Sequence, residues 1–270
     1  MNGDRKRLLL GGIVTATKGS QMSQIMPGAE PMSVEGGPVG VLVLHGFTGN
    51  PQSMRPLAEG LAAAGYSVEM PLLSGHGTVI EDMLDTRWSD WSNDAEAALG
   101  RLAARTEKVV VAGLSMGGSL TIWLATRHPE LSGIICVNPA TQAAVEVREF
   151  IGAMIDSGET IMDGIGSDVA DPDSPESAYS GTPLRPLLSM FEAADEIAPD
   201  LSKIKCPILL FTSPQDHVVP PTDSDFLAAN VSVPVERVSC ERSYHVATLD
   251  YDKEMIIERS LKFISEVAGD

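Results

Sequence analysis

Six short apolar runs, rich in Val, Ile and Leu, alternate along this chain with segments of helical periodicity. The runs cover residues 40–46, 66–71, 108–113, 133–138, 206–212 and 235–240. The helical segments cover residues 53–65, 90–106, 115–129, 222–231 and 252–268. Strands that are apolar almost throughout are buried on both faces, as in parallel sheets covered by helices. The sequence therefore predicts one α/β domain with a mostly parallel central sheet and helices on both faces.

The alternation is interrupted between residues 140 and 200, where two helix-like stretches, 142–156 and 184–197, flank a segment rich in Gly, Pro, Asp and Ser. A structureless insertion of this length is unusual inside a compact domain. We therefore expect a small helical cap, or lid, over the carboxyl ends of the strands, where open α/β sheets bind ligands.

These features divide the chain into four parts. Residues 22–139 and 201–270 are expected to form the two parts of the core, and residues 140–200 the cap. Residues 1–21 combine basic residues with a short apolar run. We expect them to be a disordered or non-native leader rather than a signal peptide, because no clear cleavage site follows the apolar run.

The stretch "GLSMGG" (113–118) places Ser115 between glycines, at a point where an apolar strand meets a helix. A turn of this kind can be plain packing with an N-capping serine, a phosphate cradle or the seat of a nucleophile. The pattern G-x-S-x-G between a strand and a helix favours the nucleophile. Small residues at 113 and 117 allow a turn sharp enough to expose the serine hydroxyl.

A serine nucleophile needs a base to remove its proton and an acid to orient that base, in the chain order serine, acid, histidine. Asp216 follows a late apolar run, and His245 lies between the last run and the last helical segment. The alternative base, His217, is disfavoured because it directly follows the proposed acid. The sequence therefore predicts a catalytic triad of Ser115, Asp216 and His245.

An acyl-transfer intermediate also needs two N–H donors for its oxyanion. Met116 follows the nucleophile, and Phe47 follows the early apolar run. We expect the backbone N–H groups of these two residues to form the oxyanion hole. His45 is interpreted as a residue that organises this loop.

Composition limits the partners and cofactors of the chain. With 19 basic and 37 acidic residues, its net charge is −18. Such a surface repels phosphate backbones, so nucleic acid is not expected as a partner. The three cysteines show no metal-binding spacing, and no metal or organic cofactor is expected. We expect a cytoplasmic protein, a monomer or homodimer, with no stable membrane insertion; transient contact with a lipid interface is left open.

Several segments together resemble bacterial monoacylglycerol lipases and the related small carboxylesterases, which belong to the α/β-hydrolases. The segments are "HGFTG", "SMRPLAE", "GHGT", "DWS", "GLSMGG", "IGSD", "DHVVPP" and "SYHVATLDYD". The match extends from residue 28 to residue 270 and covers the expected core and cap. This resemblance implies an α/β-hydrolase fold and hydrolysis of monoacylglycerols or other simple esters. It implies two substrate-binding residues in the cap, with Ile165 near the acyl chain or the lid tip and Glu176 at the glycerol head of the substrate.

Other activities remain open at this point. A general carboxylesterase is the nearest alternative, because Ser174, Pro175 and Ser177 depart from the family pattern around Glu176. A thioesterase, a peptidase, a C–C hydrolase and a non-catalytic ligand-binding relative are further alternatives. Dehalogenases and epoxide hydrolases are disfavoured because they carry an aspartate in place of the serine.

Overall fold

The structure, a computed structural model, describes residues 23–164 and 166–269. Within these ranges it has nine strands: β1 (Met32–Val34), β2 (Val39–Leu44), β3 (Ser67–Met70), β4 (Lys108–Leu114), β5 (Gly133–Val137), β6 (Ile161–Asp163), β7 (Gly181–Pro183), β8 (Ile208–Thr212) and β9 (Val235–Ser239). The α-helices in the same ranges are α1 (Arg55–Ala63), α2 (Trp88–Ala103), α3 (Met116–Arg127), α4 (Val145–Asp156), α5 (Leu184–Ile197), α6 (Thr222–Asn230) and α7 (Lys253–Ala268). The predicted leader, residues 1–21, lies outside the described residues.

Seven strands form the main sheet in the spatial order β1-β3-β2-β4-β5-β8-β9. All neighbours run parallel except the edge pair of β1 and β3, which is antiparallel. The predicted mostly parallel sheet is therefore confirmed. The short edge strand β1 was not predicted.

Both faces of this sheet are covered, which explains why its central strands are apolar without interruption. In β2, Val41 and Val43 pack into one buried cluster, which also contains residues of α1 and α7. Leu42 and Leu44, the alternate residues of β2, pack into the other cluster with residues of α2 and α3. Successive side chains of a strand point to opposite faces, so each strand contributes to both clusters.

The strand order reverses between β2 and β4. From β2 the chain continues to β3 on one side, and after α2 it returns to β4 on the other side of β2. Open α/β sheets bind ligands at the carboxyl ends of the strands beside such a reversal. Leu44 at the end of β2 pairs in register with Gly113 of β4, so the loops holding Phe47 and Ser115 start side by side.

The insertion between β5 and β8 carries its own secondary structure. Helices α4 and α5 fall close to the two predicted helical stretches, and they pack against each other. Between them, β6 and β7 form an antiparallel pair that the sequence did not predict. We refer to residues 140–200 as the cap. Among the described residues, no helix has the length and apolar character needed to cross a bilayer.

Candidate active site

Ser115 occupies the sharp turn between β4 and α3. Its backbone has φ 56° and ψ −118°, a conformation that L-residues rarely adopt. The turn is held by hydrogen bonds: the Ser115 N–H donates to the Val137 carbonyl at 3.0 Å, and the Ser119 N–H donates to the Ser115 carbonyl at 3.0 Å. A strained backbone that its surroundings hold in place is typical of functional positions.

The glycines around Ser115 are required by close backbone approach. A Cβ on Gly113 would lie 2.0 Å from the carbonyl oxygen of Gly117, and one on Gly117 would lie 2.2 Å from that of Leu44. A Cβ on Gly46 would lie 3.4 Å from Cβ of Ser115. The turn after β4 and the loop after β2 therefore meet closely beside the serine.

Asp216 lies in the turn that follows β8, and its carboxylate is fully engaged. One oxygen, Oδ1, accepts the N–H groups of Val218 and Val219, each at 2.8 Å. The other, Oδ2, lies 2.7 Å from Nδ1 of His245. The Asp216 side chain is only 1% exposed, so this pair is shielded from water.

His245, in the loop after β9, is held by its ring and by its backbone. Its carbonyl accepts a hydrogen bond from Nδ2 of Asn138 at 2.7 Å, and its N–H donates to Oδ2 of Asp168 at 3.0 Å. With Nδ1–H directed at the carboxylate of Asp216, Nε2 becomes the acceptor nitrogen of the neutral imidazole. This is the tautomer that a general base requires.

His217, the alternative base, is paired differently. Its ring is 60% exposed and its Nδ1 lies 2.8 Å from Oδ1 of Asp168. The ring also packs edge-on against Tyr244 with centroids 4.6 Å apart. The structure thus brings Asp216 together with His245 and directs His217 to a different carboxylate.

The loop after β2 is stabilised by a buried neutral histidine. Burial lowers the pKa of His45 to about 4, and a hydrogen bond to the Gly46 carbonyl opposes this shift. Nε2 of His45 therefore accepts the N–H of Leu73, at 3.2 Å. Phe47 follows directly and packs edge-on against Trp91 with ring centroids 5.6 Å apart.

Met116 is the first residue of α3. N–H groups in the first turn of a helix have no intrahelical acceptor. They also carry the positive end of the helix dipole, which favours negative charge nearby. The position of Met116 therefore suits a donor to an oxyanion.

A cavity of about 600 Å³ lies beneath the cap and reaches the serine. Ser115, His245 and Phe47 line it together with Glu176. Five apolar residues of the cap line this cavity: Ile151, Met162, Leu187, Met190 and Phe191. Three other apolar cap residues do not line the cavity and pack against the same buried cluster: Met154, Ile155 and Leu188. The cavity is therefore lined by apolar residues of the cap together with polar groups that include Ser115, His245 and Glu176.

Among the carboxyl groups that line this cavity, Glu176 has the most strongly shifted pKa. Burial raises its pKa to about 7, the charge of His245 lowers it and the charge of Asp168 raises it. Its backbone N–H donates to Oγ of Ser167 at 2.9 Å. A Cβ on Gly49 would lie 2.7 Å from Oε1 of Glu176, so the carboxyl group rests against the loop after β2.

Gln52 holds the backbone on both sides of Glu176. Its Nε2 donates to the carbonyl of Pro175 at 3.2 Å, and its Oε1 accepts the N–H of Ser177 at 3.0 Å. Asn50 adds a hydrogen bond from Nδ2 to the Ser177 carbonyl. The same loop that contributes Phe47 therefore also positions the cap segment around Glu176.

Ile165, predicted near the lid tip, lies outside the described residues. In the described ranges, no cluster of three or more His, Cys, Asp or Glu side chains is arranged to hold a metal ion. Cys136, Cys206 and Cys240 are all buried, and burial raises the pKa of each thiol.

The alpha/beta hydrolase family model matches residues 41–257. The chain belongs to the alpha/beta hydrolase family. This match confirms the fold class predicted from the sequence, and its range includes every residue of the proposed triad.

Relatives within this family confirm the resemblance seen in the motifs. The chain is 47% identical over 253 residues to a thermostable monoacylglycerol lipase from Bacillus sp. (strain H-257), covering 93% of this chain and 100% of the relative. A solved structure from a study of the metagenome-derived lipolytic enzymes LipS and LipT superposes with a TM-score of 0.87 at 42% identity, covering 90% of this chain and 100% of that one. A monoglyceride lipase from Saccharomyces cerevisiae, at 16% identity and a TM-score of 0.71, shares the fold; the match covers 87% of this chain and 88% of that one.

Proposed function

We propose that this protein is a serine hydrolase of lipidic carboxylic esters, and specifically a monoacylglycerol lipase that releases fatty acid and glycerol. The observation that carries the proposal is the contact between Oδ2 of Asp216 and Nδ1 of His245, at 2.7 Å, with His245 and Ser115 lining the same cavity. The 47% identity to a monoacylglycerol lipase supports the same substrate class.

In the proposed reaction, Oγ of Ser115 attacks the ester carbonyl carbon while Nε2 of His245 takes the hydroxyl proton. The tetrahedral intermediate then collapses, the bond to the glycerol oxygen breaks, and His245 gives its proton to that oxygen. Water attacks the resulting acyl-enzyme, and His245 takes a proton from it. The fatty acid leaves and Ser115 regains its proton. Asp216 keeps the imidazole in the required tautomer and stabilises its cation.

The backbone N–H groups of Phe47 and Met116 are proposed to bind the oxyanion of both tetrahedral intermediates. Donors that are fixed before the reaction stabilise developing charge without reorganisation, and losing one typically costs about 100- to 1,000-fold in rate. His45, buried beneath Phe47's loop, is proposed to keep the loop in place.

The two ends of the cavity are proposed to receive the two ends of the substrate. The apolar residues of the cap accommodate the acyl chain, and the flexible Met162 and Met190 adapt to chains of different length. Glu176, whose pKa is raised to about 7, is proposed to hydrogen-bond the glycerol hydroxyls.

The outer surface of α4 is proposed to contact lipid transiently. Val145, Val147 and Phe150 are 54%, 45% and 61% exposed, and the last two also line the cavity. Cosedimentation with uncharged phosphatidylcholine vesicles tests the lipid contact. Phe150→Ser should reduce the fraction of protein that sediments with the vesicles, and an unchanged fraction would contradict the contact.

We further expect a cytoplasmic protein that acts as a monomer or a homodimer.

A general carboxylesterase is the second candidate function. It is favoured by the apolar residues that line much of the cavity and by 23% identity to a carboxylesterase from Bacillus subtilis (strain 168). Initial rates on mono-, di- and triacylglycerols of one acyl length, beside nitrophenyl esters of increasing acyl length, separate the two functions. A marked preference for monoacylglycerols supports the lipase, whereas indifference to the glycerol head supports the carboxylesterase.

A further inference from the structure

Asp168 belongs to the cap, yet its carboxylate bonds to the two core loops that carry the proposed acid and base. Oδ2 accepts the backbone N–H of His245 at 3.0 Å and that of His217 at 3.2 Å. Oδ1 lies 2.8 Å from Nδ1 of His217. The Asp168 side chain is only 11% exposed. One carboxylate therefore bridges the loop after β8 and the loop after β9.

Further hydrogen bonds hold this part of the cap against the loop after β9. The carbonyl of Asp168 accepts the N–H of Val246 at 3.1 Å. In the opposite direction, the carboxylate of Asp250 accepts the N–H groups of Ala170 and Asp171, at 2.7 and 3.0 Å. The cap segment beginning at Asp168 is thus fastened to the loop of the proposed base from both sides.

We infer that Asp168 is a positioning residue, through which the cap holds His245 at the separation from Asp216 and Ser115 that proton transfer requires. The inference rests on the proposed role of His245 as the base. The side chains of Asp216 and His245 start from loops that follow different strands, so their contact depends on how those loops are held together. Asp168 fixes the backbone of His245 directly, and it fixes the acid's loop at His217, the residue next to Asp216. The cap is then part of the catalytic geometry as well as a cover for the substrate.

The experiment uses the full chain and a soluble nitrophenyl butyrate, whose small leaving group makes little use of Glu176. Asp168→Ala removes all the side-chain acceptors, and Asp168→Asn keeps one oxygen for the His245 N–H. Asp252→Asn is the control for general loosening, because Asp252 bonds to Arg242 and Ser243 in the same loop. Folded active sites are counted by titration with a fluorophosphonate, and thermal unfolding is recorded for each variant.

Displacing a catalytic group by about 1 Å can cost about 100-fold in rate. We expect Asp168→Ala to lower kcat per active site by about 10- to 100-fold with KM little changed. Asp168→Asn should recover part of that loss. Asp252→Asn should keep kcat per active site near the wild-type value, even where the unfolding midpoint falls.

Wild-type kcat in Asp168→Ala would overturn the inference, as would an equal loss in Asp252→Asn. Should Asp168→Ala fail to fold, Asp168→Asn decides: a lower kcat at unchanged KM supports the inference, and wild-type kcat overturns it. His245→Ala separates this outcome from the proposed function. If it stays active, the proposed base is wrong; if it is inactive while the Asp168 variants retain wild-type kcat, only the positioning role is wrong.

Discussion

Asp216 contacts His245 through one carboxylate oxygen and the backbone of its own turn through the other. The two residues are 29 positions apart, and each lies in a loop beyond the carboxyl end of a strand, Asp216 after β8 and His245 after β9. Because Oδ1 is fixed by two N–H donors, Oδ2 has a defined direction toward Nδ1 of His245. The acid therefore determines which nitrogen of the imidazole carries the proton.

Replacing Asp216 by Asn tests this relationship. The amide keeps the shape of the side chain but lacks the charge, and its NH₂ can select the wrong tautomer of His245. We expect kcat for a nitrophenyl ester to fall by about 10,000-fold. Far-ultraviolet circular dichroism should be unchanged. Activity within tenfold of wild type would show that another group orients the base.

The substitution Gly117→Ala tests the close backbone packing beneath Ser115. In Gly117→Ala, the new Cβ would lie 2.2 Å from the Leu44 carbonyl oxygen and 2.7 Å from that of His45. Backbone atoms cannot yield as a flexible side chain can, so we expect the free energy of unfolding to fall by about 3 kcal/mol or more. Urea denaturation measures this change.

Gly100→Ala is the matched control for that substitution. Gly100 is exposed on α2, and a Cβ there would meet no atom within 4 Å. Alanine is the better helix former, so this variant should be more stable by about 0.5–1 kcal/mol. If both variants changed stability alike, steric contact around the serine would not explain the glycine at position 117.

Glu176→Gln tests the raised pKa of the cavity carboxyl. Between its ordinary value of 4.5 and about 7, the folded chain keeps a proton that the unfolded chain has released. The stability of the wild type therefore falls across this window and levels above it. His245 and Asp168 are the charged groups that act on this carboxyl. A glutamine does not titrate. The unfolding temperature of the variant should therefore rise relative to that of the wild type as the pH increases from about 4.5 to 7.

The same variant should also lose preference for monoacylglycerol over a nitrophenyl ester of equal acyl length. A difference in unfolding temperature that is constant from pH 4 to 8 would contradict the raised pKa. Retained preference for the glycerol ester would instead contradict the proposed contact with the head group.

Gln52→Ala tests how Glu176 is positioned. The substitution removes the two hydrogen bonds that hold Pro175 and Ser177. We expect KM for monoacylglycerol to rise while kinetics on the nitrophenyl ester stay near wild type. A double-mutant cycle with Glu176→Ala gives the comparison. If Gln52 acts through Glu176, its substitution should have little further effect in that background, and additive losses would contradict the coupling.

Most of the fold could be predicted because its central strands and helices carry strong periodic patterns. The exceptions are short. β1, β6 and β7 have three residues each, and β7 includes Pro183. Three residues give too little alternation to distinguish a strand from a loop, and proline is depleted in strands.

The proposed triad could be predicted because each member follows an apolar run in a known chain order. The supporting residues could not. Asp168 lies in a polar stretch, and its partners are 49 and 77 positions away, so only the folded chain reveals what it contacts. Gln52 likewise bonds to residues more than a hundred positions away. A side chain that acts on another residue's backbone leaves no local pattern in the sequence.

The most direct test of the account is the rate of monoacylglycerol hydrolysis by Ser115→Ala. Alanine removes only the nucleophilic oxygen, so the variant should unfold near the wild-type temperature and show no label with a fluorophosphonate. We predict that release of fatty acid from monolauroylglycerol falls to the rate of the reaction without enzyme. Turnover by Ser115→Ala near the wild-type rate would contradict the central claim that this serine attacks the ester.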